Sequence, residues 1–198
     1  MKPVQVITGK AVPLDRANVD TDQIIPASWL KRVERTGFGQ GLFSEWRDQR
    51  DFVLNRPEHA GANILVAGAN FGIGSSREHA VWALMDYGFE AVISPQFGDI
   101  FRNNSTKAGL LPVQVDPDVG RALLDAVARD PSLEITVDLE RLTVEAPSAG
   151  IAATFPLDPF TQHRLLEGLD DIGLTLRHAD EIATYESTRQ SWLPAVSA

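Results

Sequence analysis

The stretch from Asn63 to Ser94 constrains this chain more than any other. A mostly apolar run, Asn63-Ile-Leu-Val-Ala67, enters a loop carrying Gly68, Gly72 and Gly74, and apolar residues then recur at Val81, Leu84 and Met85. Spacings of three and four are helical, and Gly88 stands where a left-handed C-cap would close the helix. A second apolar run, Ala91-Val-Ile-Ser94, follows at once. Strand, helix and strand make a βαβ unit, which requires parallel strands, a right-handed crossover and a buried sheet. The helix is expected to open at Ser75.

The junction has two readings. Glycines let the backbone turn tightly and approach a ligand closely. Amide N–H groups at a helix start lack intrahelical partners and carry the positive end of the dipole. Ser75-Ser-Arg77 at that place reads as an anion-binding turn that presents a polarised serine beside Arg77. It also reads as a capping box, Ser75-x-x-Glu78, whose side chains satisfy each other's backbone donors. Two hydroxyls and an arginine exceed what a cap requires. The Gly-Lys-Ser/Thr step of a P-loop is absent, and Gly72-Ile-Gly74-Ser-Ser-Arg lacks the third glycine of the dinucleotide fingerprint.

With 198 residues, 43% of them apolar, the chain can bury one core, and a single domain over 1–198 is expected. The net charge of −9 argues against nucleic acid or an anionic membrane as partner. Arginines for an acidic substrate must then be gathered locally. No run reaches membrane-spanning length and the start lacks the apolar core of a signal peptide, so a cytoplasmic location is expected. The absence of cysteine removes thiol catalysis and thiolate ligation of zinc or an iron–sulfur cluster. His59, His79, His163 and His178 show no metal-ligand spacing, so no metal or cofactor is expected in this chain.

Residues 4–14 suggest an edge strand or turn, and residues 18–26 an Asx-rich loop. A short helix over 28–35 must stop at the glycines of 36–41. This region, near 30–41, is either a solvated surface loop or a mobile loop that closes over substrate. In the second case Arg32 or Arg35 holds a carboxylate and Phe38 or Val33 meets an alkyl group. Residues 42–57 read as a helix or an irregular connection. Further on, the pattern predicts a helix capped at Asp99 and closed at Gly109, then a strand over 110–115 and an amphipathic helix over 117–129. A hairpin over 133–146 follows, with a third strand near 153–157 and C-terminal helices within 158–191, the last around 179–190. The sum is a mixed α/β sheet.

Gly72-x-Gly-Ser-Ser-Arg-Glu-His-Ala80 resembles the signature of the swivel domain of aconitase-type dehydratases. Two more stretches match that family in the same order: Asn18-Val-Asp-Thr-Asp-Gln-Ile-Ile-Pro26, and Phe97-Gly-Asp-Ile-Phe101 with Lys107-Ala-Gly-Leu-Leu-Pro112. Ala108 departs from the asparagine frequent in the family. Arg35-Thr-Gly-Phe-Gly39 is similar to the substrate-selecting loop of 3-isopropylmalate dehydratase small subunits, which aconitase lacks.

The resemblance spans nearly the whole chain and implies a three-layer swivelling β/β/α domain with a mixed sheet. It implies a hydro-lyase of leucine biosynthesis that interconverts 2-isopropylmalate and 3-isopropylmalate by removing and re-adding water. Activity would require a large subunit, in a heterodimer or heterotetramer, that carries a [4Fe-4S] cluster. Ser75 would be the catalytic base, and Ser76 and Arg77 would contact the dicarboxylate substrate. Arg35, Arg32, Thr36, Gly37, Phe38, Asp20 and Thr21 would complete its surroundings. Small subunits of homoaconitate or citraconate hydratases fit the same motifs. Two other classes remain open: a nucleotide-binding module on residues 68–76, and a non-catalytic scaffold for a partner enzyme.

Overall fold

The computed structural model describes residues 1–31, 36–190 and 192. Its strands are β1 (Val6–Leu14), β2 (Ile64–Ala67), β3 (Ala91–Ser94), β4 (Leu111–Gln114), β5 (Glu134–Asp138), β6 (Thr143–Ala146) and β7 (Ile151–Thr154). They form one mixed seven-stranded sheet in the order β4-β3-β2-β1-β5-β6-β7. The first four pair in parallel, and β5, β6 and β7 run as an antiparallel meander on the other flank of β1.

The first strand is therefore central, not the edge strand or turn expected over residues 4–14. It divides its length between two partners: residues 6–10 pair with β5 and residues 11–14 with β2. Leu14 turns its carbonyl towards the end of β2, where Gly68 N–H donates to it at 3.2 Å. Backbone polar groups alternate sides along a strand. Pro13 accordingly faces the flank that β5 has already left, and its missing N–H breaks no ladder bond.

Strands β2 and β3 are buried along their whole length. Side chains that point to opposite faces enter two separate cores. The helices are α1 (Thr21–Ile24), α2 (Ser44–Arg47), α3 (Glu78–Tyr87), α4 (Asp99–Ala108), α5 (Pro117–Arg129), α6 (Pro159–Glu167), α7 (Asp171–Leu176) and α8 (Ala179–Ser187). Leu65, Ala67 and Val92 pack with Val81 and Leu84 of α3 and Phe101 of α4. Ile64, Val66 and Ile93 pack on the opposite face with Leu123 and Val127 of α5 and Leu165 of α6. Each Val, Leu, Ile or Phe side chain so removed from water contributes about 1.5–3 kcal/mol before chain entropy is set against it.

Gly88 and Gly109 close α3 and α4 with φ of 117° and 98°, as their positions predict. The cap of α4 is Gly98 and not Asp99, which is the first helical residue. The hairpin turn is longer than the spacing suggested, spanning residues 139–142 with Leu142 at φ 53°. The third strand begins at Ile151, and the C-terminal segment holds three helices because Gly168 (φ 67°) ends α6 and Asp170 caps α7. In the region expected as a helix over 28–35, a 3-10 turn covers Ala27–Lys31, and residues 32–35 lie outside the described residues.

Candidate functional site

Three loops leave the carboxyl ends of β1, β2 and β3 and are tied to one another. Asn18 N–H donates to Ala69 O at 2.8 Å, Gly72 N–H to Val19 O at 2.7 Å, and Thr21 N–H to Ile73 O at 3.0 Å. Across the second junction, Phe71 N–H reaches Gln96 O and Gly98 N–H reaches Phe71 O, both at 2.9 Å. This edge of a parallel sheet is where such folds bind ligands. Gly72 is required here twice over: its φ is 74°, and a Cβ would stand 2.6 Å from that of Phe101.

Helix α3 opens at Glu78 with Arg77 as N-cap and no side-chain cap bond, three residues later than expected. The Ser75–Glu78 capping box is thus not formed, because Glu78 is the first helical residue instead of the third. Contacts distant in sequence override that local motif. Ile73 forms a parallel bridge with Asp20, and Thr21 Oγ1 donates to the Ser75 carbonyl at 2.9 Å. Between them Gly74 takes φ 92°. Ser75 and Ser76 are exposed. Among the described residues, no hydrogen bond engages their hydroxyls or the amide N–H groups of residues 75–77. Unpartnered donors of this kind suit a carboxylate.

Arg77 points back beneath this turn. Its Nη1 is ion-paired with Asp22 Oδ1 and lies 3.4 Å from the Ile25 carbonyl. The arginine side chain is 16% exposed and the Asp22 side chain 54%. The single-turn helix α1 is itself held by a reciprocal capping box: Gln23 N–H to Asp20 Oδ1 at 2.8 Å and Asp20 N–H to Gln23 Oε1 at 3.0 Å.

Several expected substrate contacts are occupied otherwise. Asp20 accepts the cap bond with Oδ1, and Thr21, 2% exposed, spends its hydroxyl proton on Ser75. Phe38 is buried, its ring 5.3 Å from His79 and 5.8 Å from Trp82, and its N–H donates to Asp86 Oδ2 at 3.0 Å. It is a core residue that pins the loop to α3, so its ring is not offered to a substrate alkyl group. Thr36 and Gly37 are exposed, and Arg32, Val33 and Arg35 lie outside the described residues. The structure thus brings together Ser75, Ser76 and Arg77 with Thr21 and Asp22. Sequence reasoning missed Asp22 and Asp86; the repeated acid in Asp20-Thr-Asp22 was a signal for the first, and nothing local marked the second. A hollow of about 500 Å³ lies beside the loop stem, lined by Gly37, Gly39, Gln40, Arg47, Asp86 and Tyr87. Ser75 is not among its lining residues and is exposed. Among the described residues no group of three or more His, Cys, Asp or Glu could hold a metal ion.

Comparison with known proteins bears on the chain as a whole. The family model "Aconitase C-terminal domain" matches residues 1–118, and LeuD_N matches 121–159. A third model, for the C-terminal domain of the 3-isopropylmalate dehydratase small subunit, matches 171–196. A 3-isopropylmalate dehydratase small subunit from Frankia casuarinae is 59% identical, each chain covered in full. The protein of that name from Streptomyces coelicolor is also 59% identical, with 94% of each chain covered. The crystal structure of a 3-isopropylmalate dehydratase from Methanocaldococcus jannaschii superposes with a TM-score of 0.68 at 25% identity, over 90% of this chain and 99% of that one.

Proposed function

This chain belongs to the family of 3-isopropylmalate dehydratase small subunits, hydro-lyase components of leucine biosynthesis, and from that premise we propose that Ser75 is the base of the reaction. The observation that carries this reading is the exposed hydroxyl of Ser75, which like the neighbouring amides has no hydrogen-bond partner among the described residues, next to an arginine whose guanidinium is already fixed. Dehydration needs a proton taken from carbon next to a carboxylate while hydroxide leaves the neighbouring carbon. In this reading the Ser75 oxygen accepts that proton, the C–H electrons form the double bond, and re-addition of water reverses the step at the other carbon. Arg77 holds a substrate carboxylate and Ser76 contacts the same molecule.

A serine hydroxyl is a weak base unless its ionised form is stabilised. Because α3 starts only at Glu78, the stabilising field comes from loop amides and Arg77 just ahead of the helix, not from a hydroxyl within its first turn. The donor set of this chain does not fit an iron–sulfur cluster, since it contains no cysteine. The [4Fe-4S] cluster is accordingly assigned to the large subunit, which the family name implies as partner, in a heterodimer or heterotetramer. The exposed Ser75 is accessible to that partner. Among the described residues no helix is long and apolar enough to cross a membrane, and a cytoplasmic setting is part of the same proposal.

The test is Ser75→Ala, combined with a cluster-bearing large subunit and assayed for isomer interconversion. Turnover is expected to fall by at least about 10³-fold while assembly persists. Wild-type turnover would remove the base assignment.

A further inference from the structure

We propose that α1 is the positioning element of this site: Thr21 fixes the turn that carries Ser75, and Asp22 fixes the guanidinium of Arg77, without either touching substrate. The proposal rests on the reading of Ser75 as base and Arg77 as carboxylate holder.

Thr21 grips the turn on both sides of its most permissive residue. Its N–H donates to Ile73 O at 3.0 Å and its Oγ1 to Ser75 O at 2.9 Å, with Gly74 at φ 92° between them. A hydroxyl has one donor, and here it is committed to Ser75. Among the described residues no other hydrogen bond reaches Ser75. The β-branched side chain adds a stiff χ1, which serine would keep only in part. Asp22 acts on the other functional group. It and the Ile25 carbonyl both take Nη1 of Arg77, and among the described residues no hydrogen bond or ion pair engages Nε or Nη2, the edge this proposal assigns to the substrate carboxylate. Asp22 is half exposed, so its role is not core packing. The reciprocal bonds of Asp20 and Gln23 keep the turn that bears both residues in one conformation.

The two arms should separate kinetically. In the two-chain enzyme, Thr21→Val keeps the shape of the side chain but releases Ser75, and kcat should fall about 10²-fold with KM little changed. Thr21→Ser should recover most of that loss. Asp22→Asn should raise KM about tenfold, with the smaller effect on kcat. Amide exchange at Gly72 and Ile73, whose N–H groups donate to the Val19 carbonyl, should quicken in Thr21→Val and in Thr21→Ala without global unfolding. Wild-type turnover in Thr21→Val, no recovery in Thr21→Ser, or parallel shifts of kcat and KM that simply follow lost Tm would each overturn the proposal. Ser75→Ala run alongside separates the two claims. Full activity there defeats the base assignment, whereas its inactivity combined with a fully active Thr21→Val defeats only the clamp.

Discussion

Gly98→Ala tests whether the loops after β2 and β3 meet as described. The backbone at Gly98 has φ −64° and ψ 133°, open to any residue, so a side chain there suffers no conformational strain. The obstacle is steric. A Cβ would overlap the Gly72 carbonyl oxygen and stand 2.9 Å from its carbon and 3.0 Å from Ile73 Cα. These are backbone atoms and cannot rotate aside, so one loop must move. Overpacking of this kind costs about 1–3 kcal/mol, which for a chain of this size lowers Tm by roughly 2–12 °C. The displaced segment, Gly72–Ile73, leads directly into Ser75. A shift of about 1 Å there should lower turnover about 10²-fold, more than the stability loss alone would produce. Thermal unfolding followed by circular dichroism and steady-state assay with the large subunit measure the two effects. If Gly98→Ala kept both the Tm and the kcat of the wild type, the loops could not be in contact, and the account of the site would fail with them.

Other predictions concern stability alone. Burial holds the pKa of His59 below its ordinary value of 6.5, outweighing the bond from its ring to the Ala11 carbonyl and the nearby Glu58. The unfolded chain therefore takes up a proton first as pH falls. Stability present above about pH 6.5 is lost below it, down to the lower folded-state pKa. Denaturant midpoints measured from about pH 8 to about pH 5 should fall more steeply for the wild type than for His59→Gln, and equal slopes would contradict this. Asp158 caps α6 through Thr161 N–H at 2.9 Å and Thr161 Oγ1 at 3.0 Å. Asp158→Ala should cost about 1 kcal/mol, a few degrees in Tm, while kcat stays unchanged.

Features governed by near neighbours in sequence were legible without the structure. Helix α5 runs over Pro117–Arg129 as its apolar spacing and leading proline required. The left-handed glycines 88 and 109 end their helices for the same local reason. The βαβ unit around β2 and β3 followed from two apolar runs separated by one helical pattern.

Tertiary structure decided what depends on partners far along the chain. Ser75-x-x-Glu78 has the spacing of a cap, yet the bridge of Ile73 to Asp20 and the hydroxyl of Thr21, 54 residues away from Ser75, hold the turn open and delay the helix. The mobile-loop reading set Phe38 or Val33 against a substrate alkyl group, but α3 offers the Phe38 ring a buried seat between His79 and Trp82. The division of β1 between an antiparallel and a parallel neighbour likewise leaves no trace in its own residues. A local pattern states which bonds a segment is able to make. Which of them form depends on the competing donors that the fold brings within reach, and that competition is settled only when the loops after β1, β2 and β3 come together.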